Sequence, residues 1–166
     1  MTKRLYIAYG ADLNKERMER RCPTAKPIAV ATLPGYRLVF QGRLNSARAN
    51  VIPENGQEVP VVIWELSARD ERNLDVYKGI AEGNHVKEYM EVEVNGEVRQ
   101  ALIYTMEQSP YGTPTDRYLQ TMAEGYKDFG LPIAALNEAV AHACEITVLN
   151  EAAIHTHEAA VLGPAQ

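Results

Sequence analysis

The chain has 166 residues, 46% of them hydrophobic and 23% charged, with 17 Lys+Arg against 22 Asp+Glu and a net charge of −5. These are the proportions of an ordinary globular protein, and the length suits one domain. No apolar run approaches the ~20 residues of a membrane helix, and the acidic balance argues against a nucleic-acid partner.

Leu5-Tyr6-Ile7-Ala8-Tyr9 reads as a buried strand, ending in a tight turn at Gly10-Ala11-Asp12. Asp12 is a candidate cap for a helix that starts near Leu13 and runs through Arg21. A strand–turn–helix junction of this kind directs backbone N–H groups at one spot, which suits a carboxylate or phosphate. The Arg17–Arg21 cluster includes Glu19 and reads as an exposed helix face. Ile28–Leu33 and Tyr36–Phe40 read as two strands around Pro34-Gly35, and Asn45–Asn50 as a loop; Arg43 and Arg48, at the loop after Phe40, are a candidate anion-attracting rim. Val59–Leu66 is a strong strand signal.

Ser67 with Asp70 has the form of a capping box, predicting a short helix over about Ala68–Val76 that ends at Tyr77-Lys78-Gly79. Tyr89–Val94 and Val98–Met106 flank Asn95-Gly96, a hairpin signal. Thr115 is placed to cap a helix over Asp116–Phe129, and Gly130 to end it. A last helix is expected over Ile133–Glu145, so the domain is read as 1–145, with 146–166 as a C-terminal extension of uncertain order. In that extension Ile146, Val148, Leu149 and Ile154 are candidates to pack. Strands first, with helices inserted and then appended, predict an α+β fold: a small mixed sheet or barrel with flanking helices.

Cys22 and Cys144 lack the spacing of a metal site or a disulfide framework and read as reduced structural thiols. His155 and His157 alternate as two ligands on one strand face would, but no third ligand is evident, so no metal is expected. After the basic start, only Leu5–Gly10 precedes Asp12, too short for a signal-peptide core, and a cytoplasmic protein is expected.

Leu5-Tyr6-Ile7-Ala8-Tyr9-Gly10-Ala11-Asp12-Leu13 resembles the Tyr-Gly-Ser-Asn-Leu motif that opens gamma-glutamylcyclotransferase-like proteins. Leu74-Asp75-Val76-Tyr77-Lys78-Gly79 is similar to that family's Leu-Asp-x-x-Glu-Gly segment. Tyr118, Glu124-Gly125-Tyr126-Lys127-Asp128 and Gly130-Leu131-Pro132 resemble its late helical region. The resemblance implies a small barrel-like sheet with a site at the turn after the first strand. It implies release of 5-oxoproline from gamma-glutamyl compounds, with no cofactor or metal.

In that reaction the substrate's α-amine attacks its own γ-carbonyl, so the protein mainly fixes their approach. The turn backbone then holds the α-carboxylate, and a single family glutamate moves the protons. The resemblance makes Tyr6, Ile7, Ala8, Tyr9, Gly10, Ala11 and Tyr118 candidate substrate-binding residues. It aligns Lys78 with the family glutamate, Ala11 with the motif serine and Asp12 with the motif asparagine. A protonated lysine cannot accept a proton.

One carboxylate is lost at 78 and one gained at 12, so an Asp12–Lys78 ion pair is expected, with Asp12 the candidate substitute base. Asp75, Glu82 and Glu88 are further carboxylates near that position, and His85 titrates in the useful range. The expected ligand is a small gamma-glutamyl or other anionic molecule. Two outcomes remain open: a cyclotransferase, or a catalytically degenerate homologue that binds a small anionic metabolite. Oligomeric state is not legible.

Overall fold

The computed structural model describes residues 3–107 and 109–162, with side chains described to Leu149 and at Glu151 and Ala152. The strands are β1 (Arg4–Ala8), β2 (Lys26–Gln41), β3 (Arg48–Leu66), β4 (Val86–Val94) and β5 (Glu97–Thr105), and a 3₁₀ turn spans Ala11–Leu13. The helices are α1 (Lys15–Arg21), α2 (Ala68–Tyr77), α3 (Asp116–Phe129) and α4 (Ala134–Leu162). The five strands form one mixed sheet in the order β2-β3-β1-β5-β4. β1 runs antiparallel to β3 and parallel to β5.

The central place of β1 follows from its composition. Leu5, Tyr6, Ile7 and Ala8 are all buried, so this strand has no solvent face and must be covered on both sides. Full burial of a side chain such as Ile7 is worth roughly 1.5–3 kcal/mol. The edge strands β2 and β4 touch each other, so the sheet is rolled rather than flat. The α+β class and barrel-like architecture expected from the element order are what the fold displays.

The Asn95-Gly96 hairpin has positive φ at both residues, 52° and 82°. The Ser67–Asp70 capping box is fully formed at the start of α2. Thr115 caps α3, and Gly130 closes it in the left-handed conformation.

Four local expectations are corrected. The two strands around Pro34-Gly35 are one 16-residue strand, β2, whose register shifts between Pro34 and Tyr36. The bulge absorbs the proline that reads as a break. Arg48, Ala49 and Asn50 belong to β3, not to a loop, because Gln41, Phe40 and Val39, respectively, pair with them. The cap of α1 is Asn14, whose side chain accepts from the Arg17 N–H, while Asp12 lies in the preceding 3₁₀ turn.

Finally, α4 continues past Glu145 to Leu162. Its buried side chains are Leu136, Ala139 and Ala143, whereas Val148 and Leu149 are 62% and 57% exposed and do not join the core. The backbone of His155 and His157 therefore belongs to a helix and not to a strand. Their side chains, like that of Ile154, lie outside the described ones.

Candidate functional site

One cavity of about 450 Å³ opens where the end of β1, the turn after it, α1, the end of α2 and the first turn of α3 converge. Tyr6, Tyr9, Gly10, Ala11, Lys78 and Tyr118, all expected from the sequence, line it together. Ile7 and Ala8 do not reach it. Both are fully buried in the sheet opposite Ile63 and Val62.

Asp12 lies beneath the wall rather than on it and is 1% exposed. Its Oδ2 accepts from the Tyr6 hydroxyl at 2.6 Å and faces Lys78 Nζ at 3.0 Å, and its Oδ1 accepts from Arg17 Nε at 3.2 Å. The expected ion pair is present. Burial alone pushes the Asp12 carboxyl up, but Lys78, the Tyr6 hydrogen bond and Arg17 outweigh it and hold the carboxyl well below the usual carboxylate range.

The hydroxyls around the turn are held by the sheet. Tyr9 donates to the Tyr104 carbonyl at 2.6 Å, and Tyr104 donates to Asp75 at 2.5 Å. The Tyr118 hydroxyl accepts from the Ala49 N–H at 3.1 Å. Burial raises the pKa of Tyr6, Tyr9, Tyr104 and Tyr118, so all four stay protonated.

Gly10 sits at a close approach between the turn and its neighbours. A Cβ there would lie 3.3 Å from the Tyr118 hydroxyl and 3.2 Å from the Ala49 Cβ. The turn and α3 therefore meet closely, and a side chain there would have to displace its neighbours by a few tenths of an ångström. Gly125 does the same from the other side, since a Cβ there would come within 2.7 Å of the Leu13 backbone.

The wall is more cationic than the sequence pattern predicts. Arg17 and Arg21 are not on an exposed face. They stand at i, i+4 on the cavity side of α1. That spacing, with Arg20 outside it, was the available signal. Burial first and the neighbouring Arg17 second lower the Arg21 pKa. The exposed residues Arg43 and Arg48 complete the rim, so five cationic side chains line the cavity. Among the described residues no carboxylate lines it.

Asp75 is committed to Lys87 and Tyr104, while Glu82 and Glu88 are exposed elsewhere. Cys22 is a buried thiol pushed up to about 12, chiefly by burial, and is inert. Among the described residues no group of three or more His, Cys, Asp or Glu is arranged to hold a metal ion. No described helix is long and apolar enough to cross a membrane.

An AIG2-like family profile matches residues 58–137, from the middle of β3 into α4. Gamma-glutamylcyclotransferase from Homo sapiens is 30% identical over 139 residues, covering 78% of this chain and 73% of that protein. The chain belongs to the gamma-glutamylcyclotransferase family. The Mus musculus enzyme is also 30% identical, covering 77% of this chain and 72% of its own. A solved gamma-glutamyl cyclotransferase superposes with a TM-score of 0.76 at 27% identity, covering 83% of this chain and 86% of that one. The chain is thus a gamma-glutamylcyclotransferase-like protein, and its cavity adjoins the turn at which the family resemblance puts the site.

Proposed function

We propose that the cavity binds small anionic gamma-glutamyl compounds through their carboxylates, and that any family-type cyclisation here proceeds without a carboxylate base. The observation that carries this reading is the charge of the wall: five cationic side chains and no acidic one among the described residues. Behind it, Asp12 is already paired with Lys78, Arg17 and Tyr6, and Asp75 with Lys87 and Tyr104.

The family resemblance aligns Lys78 with the glutamate that moves protons. A lysine ammonium holds an anion but accepts no proton, and its reference pKa is ~10.4. Asp12, the candidate substitute, is a weak base in this setting, because its carboxylate is buried and favoured in the charged form. We assign it instead the role of holding the Lys78 ammonium at the cavity wall. Ala11 removes the motif hydroxyl and leaves the turn backbone as the means of contact.

A cationic wall acts on both ends of a gamma-glutamyl substrate. It attracts the α-carboxylate, and it disfavours the protonated α-amine, which makes the neutral nucleophile easier to form. A cytoplasmic setting fits the two free thiols, Cys22 and Cys144.

The test pairs two measurements on one panel of gamma-glutamyl amino acids and amines. Thermal shift reads binding, and mass spectrometry reads 5-oxoproline. Stabilisation that grows with the number of carboxylates on the ligand supports the site. A panel that leaves the melting temperature unmoved overturns it. Stabilisation with no 5-oxoproline identifies a binder of an anionic metabolite, and turnover identifies a cyclotransferase.

A further inference from the structure

We infer that His85 is the catalytic base of this site, taking the proton through Nε2 that the family glutamate takes elsewhere. This rests on the binding reading above and adds the residue that moves the proton.

The residue is held by a short closed loop. α2 ends at Lys78, Gly79 turns in the left-handed conformation at φ 64°, and the Asn84 N–H donates to the Gly79 carbonyl at 3.0 Å. That brings the His85 ring back to the Lys78 carbonyl, with Nδ1 at 2.8 Å from its oxygen. A carbonyl only accepts, so Nδ1 must carry a proton. In the neutral ring the lone pair therefore resides on Nε2. His85 lines the cavity alongside Lys78, Tyr9 and Tyr104.

Elimination points the same way. The other titratable groups on the wall are cations, which cannot accept a proton, and phenols, which burial keeps protonated at Tyr6, Tyr9, Tyr104 and Tyr118. The charged groups facing His85 are Lys78 at the end of α2, Arg48 on β3 and Asp12 in the turn. Burial first, then the Lys78 charge, then Arg48 oppose its protonation, while its bond to the Lys78 carbonyl and Asp12 favour it. The balance lowers its pKa from the ordinary 6.5 and leaves a neutral imidazole at pH 7.

The proton balance closes without a co-reactant. The substrate α-ammonium first loses one proton to solvent. The α-amine nitrogen then forms a bond to the γ-carbonyl carbon, and His85 Nε2 takes the second proton. The bond from that carbon to the leaving nitrogen breaks as the imidazolium returns the proton to it. The leaving amine takes up one proton from water, giving 5-oxoproline and a free ammonium.

The experiment uses the full chain with gamma-L-glutamyl-L-alanine. Calorimetry reads Kd, and 5-oxoproline release reads kcat and KM. His85→Asn keeps a donor for the Lys78 carbonyl but removes the imidazole lone pair. Its kcat should fall about 10²–10⁴-fold, the usual contribution of a general base, with Kd changed less than about threefold. Added imidazole should restore part of the activity of His85→Ala. Nitrogen NMR of the wild-type chain at pH 7 should show the Nδ1-protonated tautomer, a reading that survives if either variant fails to fold.

Wild-type binding without turnover overturns the role of His85 and leaves the binding reading standing. Unchanged kcat in His85→Asn, or an Nε2-protonated ring, does the same. Absence of binding overturns the binding reading and the His85 role with it.

Discussion

The Lys78 ammonium lies 3.0 Å from Oδ2 of Asp12, a carboxylate that is 1% exposed and also holds Arg17 and the Tyr6 hydroxyl. Lys78 is the C-cap of α2, and Asp12 is in the turn after β1, so one ion pair fastens the two segments that border the cavity. Asp12→Asn removes the anion and leaves Lys78 and Arg17 without their shared partner. Breaking a buried pair from one side costs roughly 3 kcal/mol, and we expect a loss of that order in urea unfolding, reduced somewhat because the Lys78 side chain is 18% exposed.

The same pair sets part of the acid stability. Asp12 has a folded-state pKa below its unfolded value of ~3.9. Its contribution is therefore present in full above that unfolded value and is lost as pH falls toward the folded one. Denaturant titrations between pH 2 and 7 should show wild type and Asp12→Asn converging at the acid end. A constant difference across that range would contradict the assignment.

The two residues of the pair were legible as a charge exchange, and β1, the capping box and the hairpin turn were legible from local chemistry. The rest was not, for identifiable reasons. The Pro34-Gly35 bulge reads as a break because local sequence carries no information on the long partner strand that spans it. Arg17 reads as solvated because its partner, Asp12, precedes the helix rather than sharing its face. His85 owes its tautomer to the Lys78 carbonyl, a backbone atom that no residue pattern reports.

Lys78→Glu alone should not install a working carboxylate. It would place a second anion beside buried Asp12, and like charges at that distance disfavour ionisation of one of them. The single variant should be destabilised by roughly 3–5 kcal/mol, the range for a buried charge left without its partner. The double variant Lys78→Glu with Asp12→Asn restores one carboxylate against Arg17 and Tyr6. It should recover much of the lost stability, a non-additivity that a double-mutant cycle in urea reads directly.

Gly125→Ala tests whether α3 holds the turn in place. Its Cβ would meet the Leu13 Cβ at 2.6 Å and the Asn14 nitrogen at 2.8 Å, and backbone atoms cannot swing away as a side-chain tip can. Overpacking of this kind costs ~1–3 kcal/mol. The turn that must shift carries Asp12 and Asn14, so ligand binding should weaken along with the melting temperature. A variant with lower stability and unchanged affinity would separate α3 packing from the site.

Salt should sort the cations of the cavity by depth. Arg48 is exposed at the rim, with its guanidinium 5.7 Å from the Tyr118 ring centroid, whereas Lys78 is mostly covered and anchored to Asp12. Exposed charges are screened over a Debye length of ~10 Å at 0.1 M ionic strength and ~3 Å at 1 M, and covered ones much less. Arg48→Ala should weaken binding of gamma-glutamyl-alanine about threefold at low salt, a loss near the lower end for a charged contact, and the effect should vanish near 1 M. Lys78→Met should weaken binding roughly tenfold, as loss of a charge-assisted hydrogen bond does, and most of that loss should persist at 1 M. Calorimetry at two salt concentrations distinguishes the cases. Equal salt sensitivity in the two variants would mean that Lys78 acts on the ligand only through the general field of the wall, and that its pairing with Asp12 serves the fold alone.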